Sequence, residues 1–523
     1  MFNKLFRYWR TVKHLKFIQV RYQLYYRLRH IWGRRTLAYD RELSVEERKL
    51  ECKQWIYSNP IYKERTFRFL NKSKRFEKNI DWNFAAFGKL WTYNLNYFDY
   101  LLQPGMDRDT GLMLIHDFIN KYEELTDGLE AYPISLRAIN WIKFCLKFNI
   151  TNHVIRKNLS LQLKRLEDNL EYHLMGNHLL ENGCTLLIGG VYLEDYKFLK
   201  RGKQILSTQL NEQILEDGAH YERSPMYHQL LLHRVMDCYN ILSASAKPEE
   251  ALLEVLKTTI EQMLGWLAEV TFRNGTIPCV NDATEGIAPS TDQLESYARR
   301  LEIKTEDTTL GESGYRMIRN SDYECFIDVG NIAPDYIPGH AHSDTFSFTL
   351  NVGDYPMIVD TGISTYDECD RRITERSTAA HNTVKINGEE QTEVWKSFRV
   401  GRRAYITKLE EGPNNITAEH DGYEHLGYNH RRTLKWDKEE LYIKDDVMGK
   451  KKVNATAYIH FHPQINIEKM KDSVFTNDLE ISFSGHDNIK IKPYQYAAGF
   501  NQLEKASVLE INFRDSLESR ILL

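Results

Sequence analysis

Before Asp40 this 523-residue chain has no acidic side chain. The same stretch holds ten lysines and arginines between Lys4 and Arg35, so a formal net charge of −4 conceals a basic end and an acidic remainder. A basic footprint confined to one end, with no nucleic-acid module elsewhere, argues against a nucleic-acid-binding protein. The basic stretch also lacks an uninterrupted apolar core, because Phe2, Phe6, Trp9, Phe17, Tyr22, Tyr25, Tyr26 and Trp32 are interleaved with charge. It is therefore expected to be neither a cleavable signal peptide nor a membrane span. Two readings of it stay open: a basic aromatic helix lying on an anionic cytoplasmic membrane surface, or a helix packed on the protein with its basic face solvated.

Paired cysteine motifs are also missing. Cys52, Cys145, Cys184, Cys238, Cys279, Cys325 and Cys369 are scattered, odd in number and without a CxxC pair. That pattern indicates neither a disulfide framework nor a cysteine zinc site, and the expectation is a reduced, cytoplasmic protein, with the inner membrane surface as its place of association. Proline (13) and glycine (28) are too few for a collagenous or low-complexity chain.

What is present is ordinary globular composition, 42% hydrophobic and 27% charged, over a length that exceeds a single core. From about Leu43 to Arg300 apolar residues recur at three- and four-residue spacing, as in 136–148, 154–174, 196–215 and 251–270, separated by short polar turns. Medium helices in succession without intervening strands predict stacked hairpins, a solenoid or a toroid. Around 302–313 the chain turns polar and the period changes. Short alternating runs rich in β-branched and aromatic residues follow, among them 323–329, 345–352, 441–447, 455–462 and 508–513. The division expected is a basic aromatic extension over 1–40, a helical domain over 41–305 and an antiparallel β-sandwich over 306–523.

Polar clusters interrupt both halves. In Pro338-Gly339-His340-Ala341-His342-Ser343-Asp344, an extended backbone would put both imidazoles on one face, suited to a metal or to proton transfer. Asp360 and His381 stand at the ends of apolar runs, and with His342 they form a reasonable three-ligand set for zinc, although spacing alone slightly favours turn capping for Asp360 and strand-end hydrogen bonding for His381. In the helical half the clusters are 132–137, with Arg137 opening a helix, 175–183 around Asn177 and His178, and 216–228, where Gly218 and Pro225 mark a loop entering a helix.

Together with Trp91-Thr92-Tyr93-Asn94-Leu95-Asn96-Tyr97, Asn281-Asp282, Asp360-Thr361-Gly362 and His381-Asn382-Thr383-Val384, these stretches resemble, in order and in the helix-to-sheet switch between Asn281 and Gly339, the heparinase II/III family of polysaccharide lyases and its alginate-lyase-like relatives. The resemblance implies an incomplete (α/α) toroid followed by an antiparallel β-sandwich, with an acidic polysaccharide bound between them. It implies that Asn177, with His178 beside it, neutralises the substrate carboxylate, and that Tyr227 in Ser224-Pro225-x-Tyr227-His228 and His340 are catalytic. It implies that His342, Asp360 and His381 hold a structural Zn2+ that organises the site. Tyr93, Glu222 and Arg137 are placed beside substrate, with a helix-terminal ion pair the alternative for Arg137.

The residue types suit β-elimination. The C5 proton of a uronate becomes removable once the adjacent carboxylate is neutralised by amide, imidazole or guanidinium groups. A tyrosine or histidine can then take it while the same or the opposite group protonates the leaving O4. Glucuronate, with H5 and O4 syn, would let Tyr227 do both, whereas iduronate would divide the work between His340 and Tyr227. A uronate C5-epimerase needs the same residues and stays open, as does a non-catalytic glycan-binding protein of a polysaccharide assembly system. A hydrolase using two of Asp217, Glu222 and Asp282 is a further alternative. Capsule or exopolysaccharide metabolism is the expected setting.

Overall fold

The computed structural model describes residues 2–31, 50–451 and 453–523. Trp32, Arg34, Arg35, Asp40 and Leu43, and with them the expected division at 40/41, lie outside the described residues. The chain opens with a helical hairpin, α1 (Phe2–Val12) and α2 (Phe17–Ile31). A small antiparallel sheet follows, β1 (Tyr62–Lys63), β2 (Thr66–Phe69) and β3 (Lys72–Arg75). The helical period did not reveal it, because these strands are short and carry only Phe67 and Phe69 into the core.

The toroid is built from α3 (Lys89–Tyr97), α4 (Arg108–Asn120), α5 (Ala131–Lys147), α6 (His153–Glu167), α7 (Gly176–Leu193), α8 (Tyr196–Gln213), α9 (Pro225–Ser243), α10 (Glu250–Val270) and α11 (Thr291–Arg300). Local chemistry sets the starts. Asn152 accepts from the Val154 and Ile155 N–H groups before α6, Ser224 caps α9 with Pro225 at its first position, and Ser290 and Gln293 form a reciprocal capping box on α11. Leu252, Leu256, Ile260, Met263, Leu264 and Leu267 of α10 show the three- and four-residue spacing that buries one face. The core between the helices is aromatic-rich, with Trp91, Trp141 and Trp266 almost wholly buried. Truncating one such ring to alanine costs about 3–5 kcal/mol.

From Tyr315 strands predominate, with one short helix, Asp370–Glu375, carrying Arg372. A four-stranded antiparallel sheet runs in the order β4 (Tyr315–Arg319), β5 (Tyr323–Asp328), β6 (Phe348–Val352) and β7 (Tyr355–Ile358). Its two faces serve two cores: Tyr315 and Phe326 pack into the toroid core, while Tyr323, Cys325 and Ile327 pack into the sandwich core. That is the period-two alternation of a sheet buried on both sides, and it makes this sheet the shared wall of the molecule.

The large sheet has ten strands. After β8 (Val384–Ile386) and the two-residue pair β9 (Val394–Trp395) and β10 (Arg399–Val400) come β11 (Ile406–Gly412), β12 (Asn415–His420), β13 (Tyr428–Trp436), β14 (Glu440–Gly449), β15 (Ala455–His460), β16 (Glu468–Lys469), β17 (Ser473–Phe475), β18 (Glu480–Gly499) and β19 (Gln502–Leu522). The order is β11-β12-β13-β14-β19-β18-β17-β16, with β15 joining β19 to β8, all antiparallel. Alternate residues of β13 and β14 are buried, as one packed face requires. None of the seven cysteines is paired.

Candidate active site

A cleft of about 1500 Å³ opens between the toroid and the sandwich. Asn177, His178, Glu222, Tyr227, His340, Tyr93 and Tyr132 all line it. The stretch around Asn177, an interruption by sequence period, is the first turn of α7. It is entered through two left-handed residues, Met175 (φ 65°) and Gly176 (φ 59°). A side chain at Gly176 would meet Glu222 Oε1 at 2.5 Å and Ile337 Cδ1 at 2.4 Å, so glycine is what lets this helix start against Glu222. The Asn177 N–H donates to Glu222 Oε1 at 2.8 Å, and its amide nitrogen stands 3.5 Å from His340 Nε2.

Tyr227 sits in the first turn of α9, brought there by the Ser224 cap. Its ring lies over the His340 imidazole, centroids 4.0 Å apart. Its hydroxyl is 3.2 Å from that of Tyr366. Burial, with Tyr366, Asp282 and Glu222 nearby, holds the Tyr227 hydroxyl well above the ordinary tyrosine range, so in the free cleft it stays protonated. Burial also pushes the Glu222 carboxyl up, more than His340 and the Asn177 N–H draw it down. Glu222 thus lies under the cleft floor, 1% exposed, supporting Asn177 and standing 3.4 Å from His340.

His340 and His342 are not on a strand. Both lie in the loop before β6, and they meet on one carboxylate: His340 Nδ1 is 2.9 Å from Asp282 Oδ2, and His342 Nε2 is 2.9 Å from Asp282 Oδ1. Arg372 donates to both oxygens of the same Asp282, at 2.5 and 2.7 Å. Burial opposes ionisation of Asp282, but the Arg372 guanidinium and the two histidines overcome it and hold the carboxyl well below its usual range. The guanidinium also lies over the rings of Tyr366 and Phe398. Asp282 is therefore an anchor for histidines, not half of a hydrolytic carboxylate pair. Asp217 is equally committed, accepting from the Gly311 and Ser313 N–H groups and the Ser313 hydroxyl.

His178 lines the cleft against Tyr132, ring centroids 4.6 Å apart, with Nδ1 3.1 Å from Glu171 Oε1. Burial lowers its pKa, but Glu171, Glu222 and Glu181 outweigh that and raise it overall, which favours a cation facing the cleft. Tyr93 is on the cleft wall with Lys89 over its ring. Arg137 is a correction. It is fully buried among the helices, bonded to Gln162 Oε1, Asn96 O and Gly128 O and lying over Phe118, and it does not line the cleft. Five residues beyond cleft-lining Tyr132, it points roughly 140° away around α5.

His342, Asp360 and His381 come close together at full burial. His381 Nδ1 is 2.7 Å from Asp360 Oδ2, and the His342 and His381 rings are 5.3 Å apart. Buried His342 Nδ1 and His381 Nε2 have no hydrogen-bond partner. Two imidazoles with a nitrogen free of hydrogen bonds and a carboxylate beside them are donor types that zinc takes, and in residue type the set fits zinc. Among the described residues no three histidine, cysteine, aspartate or glutamate side chains already stand at metal-holding geometry.

Sequence reasoning missed Tyr366 and Arg372, and it offered Asp282 only as part of the motif and as half of a hydrolytic carboxylate pair, not as the shared partner of two histidines. The Asp282–His342 neighbourhood spans 60 residues of chain and leaves no local signal.

Toroid and sandwich thus enclose a cleft in which amide, phenol and imidazole groups converge. Two sequence models of one family match consecutive stretches, "Heparinase II/III N-terminus" over residues 134–306 and "Heparinase II/III-like, C-terminal" over 302–522. The chain belongs to the heparinase II/III family. The heparin-sulfate lyase of Bacteroides stercoris is 24% identical over 343 residues, 59% of this chain and 49% of that protein. The heparin-sulfate lyase of Bacteroides thetaiotaomicron is 23% identical over 374 residues, 62% and 51% of the two chains. The chain spans about half the length of these relatives. A crystal structure of heparinase III superposes with a TM-score of 0.66 at 16% identity, covering 86% of this chain and 80% of that one. The heparan sulfate lyase HepC from Pedobacter heparinus gives 0.55 at 15% identity, covering 88% and 81%. At such identities the likeness is one of fold.

Proposed function

We propose that this chain is a polysaccharide lyase that cleaves a uronate-containing acidic polymer by β-elimination. The observation that carries the reading is the convergence at one imidazole: Asn177 is 3.5 Å from His340 Nε2, and the Tyr227 ring covers the same His340. Heparin-sulfate lyases among the relatives support a sulfated or otherwise acidic glycan.

In this reading the substrate carboxylate lies against the Asn177 amide and His178, which stabilise the charge that develops as the C5 proton leaves. Asp282 accepts a hydrogen bond from His340 Nδ1, which leaves Nε2 as the acceptor facing the cleft and makes His340 the base. Tyr227, held protonated, donates its proton to the departing O4. The C4–O bond breaks and a C4–C5 double bond forms; the cycle closes when His340 releases the C5 proton to solvent and Tyr227 regains one from solvent, with the Tyr366 hydroxyl 3.2 Å away placed to relay it. His342, Asp360 and His381 would hold a structural zinc, which supplies rigidity to the loop carrying His340.

The test is ultraviolet absorbance of the unsaturated uronate on a panel of acidic polysaccharides, with Tyr227→Phe and His340→Ala as controls. A rise lost in both variants supports the proposal. No rise, with solvent deuterium entering at C5, replaces elimination with epimerisation. Neither signal, with glycan still bound, makes the chain a binding protein.

A further inference from the structure

The α1–α2 hairpin is mounted with its polar face inward. On α1, Arg7 and Arg10 pair with Glu393, and the Thr11 hydroxyl accepts from Trp395 Nε1, so this helix is held by the sandwich half. On α2, Gln19 donates to the carbonyls of Leu174 and Tyr336, Tyr26 to that of Leu170 and Arg29 to that of Asp168, while Tyr22 stacks on Tyr172 at 4.7 Å. The contacting positions 19, 22, 26 and 29 form one face of α2. The hairpin therefore bridges both halves at the cleft, and Gln19, Gln23 and Tyr26 help to line it.

The opposite face is apolar and open. Leu5, Trp9 and Val12 on α1, and Phe17, Val20, Leu24 and Leu28 on α2, fall at three- and four-residue spacing and are exposed, Phe17 by 81%. Ten of the 25 large apolar side chains exposed among the described residues lie between Leu5 and Leu28. A helix of a globular surface shows the reverse arrangement, and an apolar patch so concentrated marks a surface that something covers. Charge selects the covering. Lys13 and Arg21 are exposed beside the patch, and no acidic residue occurs in the hairpin. Basic and aromatic residues flanking an apolar helix face suit an anionic lipid surface, where rings and aliphatic chains enter the headgroup boundary and cations meet phosphate. Among the described residues no helix is long and apolar enough to cross a membrane.

We propose that the outward face of the α1–α2 hairpin docks on an anionic lipid bilayer, holding the cleft beside the membrane surface. This inference is independent of the reaction assigned above. The test mixes the purified full chain with vesicles of phosphatidylcholine alone and of phosphatidylcholine with phosphatidylglycerol, followed by sedimentation. The chain is expected to pellet with the anionic vesicles, and less so as salt is raised. Trp9→Glu combined with Phe17→Glu, and separately Lys13→Glu with Arg21→Glu, are expected to lower partitioning by about tenfold or more. These side chains are exposed, so an unchanged melting midpoint in the variants separates lost docking from lost folding. No pelleting with either vesicle at low salt overturns the proposal, as does equal pelleting with both. A concentration-dependent dimer that Phe17→Glu dissolves would give the face to a second copy of the chain and overturn it too.

Discussion

The phenol ring of Tyr227 and the imidazole of His340 lie 4.0 Å apart, centroid to centroid and 31° from parallel, although 113 positions of chain separate them. The contact holds the proposed acid and base next to each other in the cleft. Removing the Tyr227 hydroxyl leaves the ring contact intact. Tyr227→Phe is therefore expected to lower elimination by on the order of 10²–10⁴-fold, with glycan affinity and melting midpoint close to those of the parent. Tyr366→Phe removes only the partner of that hydroxyl and should cost less, about tenfold. Initial rates of ultraviolet absorbance and a binding titration check both.

Asp282 joins His340, His342 and Arg372. Asp282→Asn leaves the Arg372 charge buried without its counter-ion and deprives His340 of its orienting acceptor. The expected result is a loss of about 3–5 kcal/mol of stability together with elimination. Denaturant unfolding measures the first. A variant of unchanged stability would show that the carboxylate is not the anchor described here.

Gly176 lies at φ 59° with Glu222 and Ile337 in the space a methyl group would need. Gly176→Ala is expected to shift the start of α7, breaking the hydrogen bond from the Asn177 N–H to Glu222, and to cost about 1–3 kcal/mol with loss of activity. A change of stability without any change in rate would separate Asn177 from the reaction.

Acid stability has a source far from the cleft. Asp445 is buried on β14. Burial opposes its ionisation, but Arg432, bonded to both of its oxygens, and His430 bring its pKa from 3.8 down to about 2. Because the folded value is the lower one, the contribution is complete above about 3.8 and is lost as pH falls through about 2. Each tenfold drop in proton affinity on folding is worth about 1.4 kcal/mol, so the effect is about 2 kcal/mol. Unfolding measured across that window should show a shallower acid dependence in Asp445→Asn than in the parent.

If His342, Asp360 and His381 hold zinc, one equivalent should co-purify or be taken up, raising the melting midpoint, and His381→Ala should abolish both. Metal analysis and thermal unfolding report this without reference to activity.

The order of helices and strands was legible along the chain because period reports local backbone geometry: 3.6 residues for α10, two for β14. The residue types of the cleft were legible too, since Asn177, Tyr227 and His340 stand in polar breaks of otherwise regular patterns. The short strands β1–β3 escaped because four residues or fewer show no period. What folding alone decided is direction and partnership. Arg137 lies five residues beyond Tyr132 on α5, yet the turn of the helix carries it into the core. His340 and His342 share Asp282 through a loop and not through a strand face. The hairpin α1–α2 turns its polar side to the protein and its apolar side out. Each of these depends on groups tens to hundreds of residues apart competing for one buried position, and local sequence carries no record of that competition.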